Sequence, residues 1–297
     1  MKITALFLVR SESWVLGCSL RAALEFCDEA IVLDHCSTDR TPEIAQSFGP
    51  SVVYERVDDP EFREMTFRHF LLERARMRGA THIAMLDADE IISGNMLPRM
   101  RGMAADLSPG HCLSLPMVCV WRGLDQYRTD SNTVFFKAKT PVLMADHPSL
   151  DWAPRPDGYE LHSRAPQGTR AIYAPYTKAE QGGIMHLQWV SWARLIDKHA
   201  WCVLRERAFY GQRDTAQVIN ERYQRTLDEN GMHLSPIPAE WWAPYMKWRD
   251  QISLEGDRWH KAECYRLARQ IGLGGMKGLN LFGMTAEELL FNNEEAS

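Results

Sequence analysis

The sequence has no surplus of positive charge. Its 34 Lys and Arg face 39 Asp and Glu, a formal net charge of -5, so it carries no general basic field to hold a nucleic-acid backbone. A local basic pocket for a phosphorylated small molecule is still compatible with that balance. Paired cysteines are missing as well. The 7 cysteines are odd in number, scattered, and never spaced Cys-x-x-Cys. This speaks against a disulfide framework or a zinc cluster and for reduced thiols in a cytosolic protein. No stretch reaches the ~18 uncharged apolar residues that a membrane-spanning helix needs. The opening MKITALFLVRSE meets Arg10 and Glu12 too early for a secretory leader, and no small-residue cleavage site follows. The segment Ile271–Gly283 (IGLGGMKGLNLFG) fits neither glycine-rich phosphate-loop register and reads as a C-terminal turn. His-Glu-x-x-His and Gly-x-Ser-x-Gly are absent.

What is there begins with strands. Ile3–Val9, Glu29–His35, Ser51–Val57 and the stretch THIAMLDADE from Thr81 are short apolar runs. Between them lie segments of helical spacing: Leu16, Leu20, Ala23, Leu24 and Cys27; then STDRTPEIAQSF, with Thr41 as N-cap and Pro42 in the first turn; then Phe67–Arg78. The alternation predicts an α/β fold with a mostly parallel, doubly wound sheet, since parallel strands buried on both faces read as unbroken apolar runs. HCLSLPMVCVW and TVFFKAKTPVL predict further, antiparallel strands that extend the sheet. Residues 145–183, rich in Pro, Gly, His and Asp, predict loop. SWARLIDKHAWCVLRERAFYG predicts an amphipathic helix with Trp192, Leu195, Ile196, His199 and Val203 on one face. The simplest partition is one domain over 1–235, with a nucleotide-binding half at 1–95 and an acceptor-side half at 96–190. A helical extension over 236–297 follows.

In such sheets ligands bind at the carboxyl ends of the strands. Three polar clusters fall there: Arg10-Ser11-Glu12, Asp34 to Asp39, and Asp87-Ala88-Asp89-Glu90. In extended backbone Asp87 and Asp89 leave on the same side, and two such carboxylates suit Mg²⁺ or Mn²⁺. An idle, solvated acidic loop is the alternative.

LVRSE, AIVLDHCSTDRTPEIA and THIAMLDADE together resemble the nucleotide-binding half of family 2 glycosyltransferases of the GT-A fold, bacterial type. The match covers roughly residues 1–95 and is specific as an ensemble. The resemblance implies a helix-flanked, Rossmann-like sheet and a metal-dependent enzyme. Such an enzyme moves a sugar from a nucleotide-diphosphate sugar, UDP-linked by family weight, to an acceptor hydroxyl with inversion. It implies that Val9, Arg10 and Glu12 flank the nucleotide, that Asp34 bonds the base, and that Asp39 and Arg40 lie in the following loop; that Arg40 approaches the diphosphate is our own expectation, beyond the resemblance. Asp87 would lie near ribose and metal, and Asp89 would bind the metal directly. Two departures touch this pocket: Ser11 stands where the family often has Asn, and His35-Cys36 replaces the commoner Asp-Gly or Ser-Gly. MHLQWVSWARLIDKH resembles the family's late His, making His186 the third metal-ligand candidate.

The acceptor's base would be a carboxylate in the second half. Candidates are Asp146, Asp151, Asp157 and Glu160, with Asp151 and Glu160 foremost. His147 and His162 are further acceptor-side candidates. Arg122, Arg128, Lys137 and Lys139 either line the acceptor cleft or form solvated strand faces. The segment EWWAPYMKWRDQI (Glu240–Ile252) either packs on the main domain or lies at a membrane interface, near a lipid-linked acceptor. The acceptor class (glycan, lipid-linked or small molecule) stays open. Two other readings stay open: a nucleotidyltransferase, and a non-catalytic nucleotide-sugar-binding protein of the same fold.

Overall fold

The structure, a computed structural model, describes residues 1–59, 61–130, 134–153, 164–211, 213–255 and 259–291. In chain order its strands and helices are β1 (Ile3–Val9), α1 (Leu16–Leu24), β2 (Glu29–His35), α2 (Thr41–Ser47), β3 (Val52–Val57), α3 (Glu64–Met77), β4 (His82–Met85), β5 (Glu90–Ile92), α4 (Leu97–Ala105), β6 (His111–Trp121) and β7 (Gln126–Arg128). Then come β8 (Phe136–Ala145), β9 (Ala171–Tyr173), β10 (Ile184–Trp189), α5 (Trp192–Tyr210), α6 (Ala216–Gln224), β11 (Leu234–Pro236), α7 (Ala239–Trp242), α8 (Met246–Arg249), α9 (Trp259–Met276) and α10 (Ala286–Phe291).

The fold is α/β, with a mixed sheet flanked by helices. Its backbone order is β11-β7-β6-β8-β4-β1-β2-β3. The pairs β4-β1, β1-β2 and β2-β3 are parallel, with Leu6 opposite both Met85 and Ile31. The centres of β1, β2 and β4 are apolar because helices cover both faces. Ala5, Phe7, Ala30 and Val32 face the α1 and α2 side, while Leu6, Ile31, Leu33 and Ile83 meet α3 through Leu71, Leu72 and Ala75. From β4 outward the sheet turns antiparallel: β8 pairs with β4, and β6 with β8. Returning to the centre, β10 runs parallel to β6 and antiparallel to β5, which brings His186 opposite both Cys119 and Glu90.

Two expectations shift. The stretch 145–183 is not wholly loop, since Ala171–Tyr173 adds to β6 as β9. The fourth strand stops at Met85, not at the acids: Asp87, Ala88 and Asp89 form a turn in which the Glu90 amide donates to the Asp87 carbonyl at 3.0 Å.

The aromatic segment after residue 238 packs against the main domain. Trp241, Trp242 and Tyr245 are buried in the principal core. The Tyr245 hydroxyl donates to the Ile92 carbonyl (2.9 Å), the Trp242 indole to that of Leu124 (3.0 Å), and Trp248 stacks on Phe48. Further on, Cys264, Leu267 and Ala268 of α9 and Leu289 of α10 form a separate cluster with Ala200 and Leu204 of α5. The glycine-rich stretch lies partly within α9, whose backbone breaks at Gly272 (φ 63°). Among the described residues no helix is long and apolar enough to cross a membrane.

Trp241 is 1% exposed and lies 5.0 Å, centroid to centroid, from the Tyr127 ring. Trp241→Ala should therefore cost about 3–5 kcal/mol of stability, read as a fall in the urea midpoint. A midpoint unchanged from wild type would contradict this packing role.

Candidate functional site

The carboxyl ends of β1, β4 and β10 open on a cleft of about 580 Å³. Glu12, Asp87, Asp89 and His186 line it, together with Lys198, Trp201, Cys202 and Arg205 of α5. The last four recur at three and four residues, so one stripe of α5 faces the cleft while Leu195, His199 and Val203 are buried.

The loop after β1 is stitched to the loop after β2. The Ser11 amide donates to Ser37 Oγ (2.7 Å), Glu12 N to Thr41 Oγ1 (2.8 Å) and Ser13 N to Asp39 Oδ2 (2.9 Å), while Ser11 Oγ accepts from Thr38 N (3.2 Å). Thr41 is thus the first residue of α2 rather than its cap, and its hydroxyl holds Glu12. Ser11 (φ 51°) and Cys36 (φ 57°) both sit in the left-handed region. That region favours Asn and Gly, the residues these two replace in the resemblance.

Asp34 is fully buried. Its Oδ1 accepts from the Ser37 amide (2.9 Å), its Oδ2 from the Tyr54 hydroxyl (2.7 Å) and Arg56 (3.4 Å). Both oxygens are therefore engaged in holding the loop. Val9 is buried in β1 opposite Asp34. Asp39 binds the amides of Ser13 and Thr41, which holds its carboxyl low against the opposing effect of burial. Arg10 leans away from the cleft lining, over Trp259 (4.5 Å) and against Glu263 (3.3 Å). Arg40 lines a different cavity, of about 440 Å³, with Trp14, Phe48 and Trp248. Arg40 is not among the residues that line the main cleft.

The turn at 87–89 replaces the extended backbone expected there and gives the two aspartates different partners, while both line the cleft. Asp87 Oδ1 accepts from Arg68 (3.0 Å), and Oδ2 lies 3.7 Å from Arg164. Glu90, 1% exposed, is clasped by the Arg164 guanidinium and accepts the Asp87 amide (3.0 Å). Asp89 faces His186 Nε2 (3.5 Å) and Lys198 Nζ (3.8 Å), and Lys198 donates to Gln188 Oε1 (2.9 Å). Burial alone would raise the Asp89 carboxyl, but His186 and Lys198 hold it down at about 2. Burial would lower the Lys198 ammonium, but Asp89 and Glu12 keep it above its ordinary value. Glu12 accepts from the Trp14 indole (2.6 Å). Burial and the neighbouring Asp89 push its carboxyl up to about 7, against the pull of Lys198 and Arg194.

Among the described residues no three His, Cys, Asp or Glu side chains converge as a metal cluster. The Asp89–His186 pair nevertheless suits one divalent ion. Two neighbouring ligands of an octahedral Mg²⁺ stand about 3 Å apart, close to the 3.5 Å observed.

Of the described base candidates, neither Asp146 nor Asp151 lines the cleft. Asp146 is taken by Arg76, which also donates to the carbonyls of His147 and Leu150. Asp151 is 2.5 Å from His69 Nδ1 on α3. His147 bonds Ser149 and Arg170. Asp157, Glu160 and His162 lie outside the described residues. Arg68, Arg164 and Lys198 were missed by sequence reasoning. The helical stripe at 198, 201, 202 and 205 was the one available signal for Lys198.

No protein-family profile matches the chain, and no curated protein matches its sequence. Among solved structures it is similar to TarS of S. aureus, with 10% identity over 94% of this chain and 83% of that one, TM-score 0.41. TarS has also been solved with UDP-GlcNAc. A second likeness is to glucosyl-3-phosphoglycerate synthase of Mycobacterium tuberculosis with Mn²⁺, UDP and glucosyl-3-phosphoglycerate, with 21% identity over 41% and 44% of the two chains, TM-score 0.29. A third is to a Methanothermobacter nucleotidyl transferase, with 17% identity over 48% and 71%, TM-score 0.31.

Glu12 has a stability consequence with a definite sign. The folded chain keeps a proton on it that the unfolded chain releases near 4.5, so stability declines as pH rises from about 4.5 to about 7. Glu12→Gln should flatten that part of the profile in urea unfolding from pH 4.5 to 8. A variant losing as much stability as wild type over this range would contradict the assignment.

Proposed function

We propose that the chain is a glycosyltransferase that takes a nucleotide-diphosphate sugar, UDP-linked, and transfers the sugar to an acceptor hydroxyl with inversion. The reading rests on one observation above all: Asp89, His186 and Lys198 meet in the cleft at the carboxyl ends of the strands. The motif resemblance over residues 1–95 supports it.

Asp89 and His186 would hold a divalent cation, with phosphate oxygens and water completing its shell. When bound, that cation offsets the charge growing on the departing diphosphate. Lys198 is a fixed cation beside it. Its tie to Gln188 keeps the ammonium directed into the cleft, where it can donate to a phosphate oxygen. Arg68 neutralises Asp87, and Arg164 neutralises Glu90, so the turn carrying Asp89 keeps its shape without the cation. In the transfer the acceptor oxygen bonds to the anomeric carbon, the bond from that carbon to the diphosphate oxygen breaks, and UDP leaves with the electron pair. The hydroxyl proton passes to a carboxylate, for which Glu160 remains the candidate. Asp151, held by His69 outside the cleft lining, is a poor one.

Calorimetric titration of UDP and GDP with and without Mn²⁺ tests the donor site. UDP should bind with metal dependence, and Asp89→Ala should weaken it by about ten-fold or more. Absence of binding by either nucleotide under all metal conditions would remove the reading. Release of UDP from a UDP-sugar marks sugar transfer or hydrolysis, whereas release of pyrophosphate from a nucleoside triphosphate would mark a nucleotidyltransferase instead.

A further inference from the structure

The cleft holds more cations than its own acids occupy. Arg68 is bound by Glu64 and Asp87, and Lys198 faces Asp89. Lys137, Arg205 and Arg225 line the same cleft, and among the described residues none of them forms an ion pair. The acids nearest to them in sequence have other partners: Glu206 binds Arg222 and Tyr223, Asp130 binds Arg128, Asp228 accepts from Asn230, and Glu221 accepts from Gln217.

The sheet order places Lys137 away from the nucleotide side. Lys137 sits in β8 opposite Met117 of β6, and β8 lies across β4 and β1 from β2 and β3. Arg225 opens the short 3-10 turn Arg225–Leu227 that follows α6. Arg205 stands between the two sides. It donates to the Phe62 carbonyl (3.2 Å), and its guanidinium lies over the rings of Phe62 (5.1 Å) and Trp201 (5.7 Å). Stacking and that one hydrogen bond restrict its rotamers before anything binds, which lowers the entropy cost of capturing an anion. Three like charges facing one space repel, and a dianion placed among them removes the repulsion while gaining charge-assisted hydrogen bonds.

We propose that Lys137, Arg205 and Arg225 form an anion subsite, separate from the donor's diphosphate contacts, that receives an acceptor bearing a phosphate monoester. The proposal rests on the glycosyltransferase reading above and names the acceptor's chemical class. A monoester is favoured over a diester because it carries close to two charges at neutral pH, against one. Trp201, half-buried, lines the same cleft and offers an apolar surface to a sugar ring on that acceptor.

The test is calorimetric titration of the full chain with glucose 6-phosphate and with glucose, each with and without saturating UDP and Mn²⁺. It is repeated on Arg225→Ala and on the double variant Lys137→Ala/Arg225→Ala. Both side chains are exposed, so the variants should fold. Glucose 6-phosphate should bind in the presence of UDP while glucose does not, and the double variant should weaken it by about ten-fold with UDP affinity within about two-fold of wild type. Unchanged glucose 6-phosphate affinity in the double variant would overturn the proposal, as would no binding to wild type. One-for-one competition with UDP, with UDP weakened in the double variant, would assign these cations to the donor diphosphate and overturn it too. Failure of wild type to bind UDP while it binds glucose 6-phosphate would remove the donor reading, and with it the acceptor role of the subsite.

Discussion

Three carboxylates within four residues, at the end of a buried strand, are the constraint around which the site is arranged. Asp87, Asp89 and Glu90 could not share that place uncompensated, since each loses water and repels the others. The fold brings cations from three distant segments: Arg68 from α3, Arg164 from the segment before β9, and Lys198 from α5. Arg164 does the most with one side chain. It binds Glu90, lies near Asp87, and donates to the Pro141 carbonyl (2.7 Å) and the Met85 carbonyl (3.3 Å), tying β4 to β8 where the acids begin.

The compensation is uneven. Asp87 and Glu90 are matched by guanidinium groups that cannot lose their protons. Asp89, which lines the cleft, faces a histidine and a lysine instead. Within one short turn the acids are divided between guanidinium partners and a histidine–lysine pair. The turn itself makes the division, because in a straight strand Asp87 and Asp89 would point together and compete for the same cations.

The C-terminal region supports this arrangement from behind. Trp259 of α9 stacks under Arg10, and Cys264, Leu267 and Ala268 seat α9 on α5, the helix that carries Lys198 and Arg205. Tyr245 and Trp241 fill the core beneath β5 and β7. The tryptophan-rich segment therefore packs in the interior. A run of Trp and Tyr has the same composition whether it meets a protein core or a membrane interface, so the tertiary contacts alone distinguish the two.

Local sequence was enough for the first four strands, since a parallel strand covered on both faces has an unbroken apolar centre, as ALFLV in β1 and AIVL in β2 do. It was enough also to locate the acids just beyond a strand, and to expect β6 and β8 after them. It was not enough to say which way each acid points, because that depends on a turn closed by one backbone hydrogen bond and on guanidinium groups from up to 77 residues away, the separation of Arg164 from Asp87. Nor could it reveal that Asp34 and Asp39 hold loops, or that Lys137, Arg205 and Arg225 border one cleft. Burial and periodicity are written into neighbouring residues; charge pairing between remote segments exists only once the chain has folded.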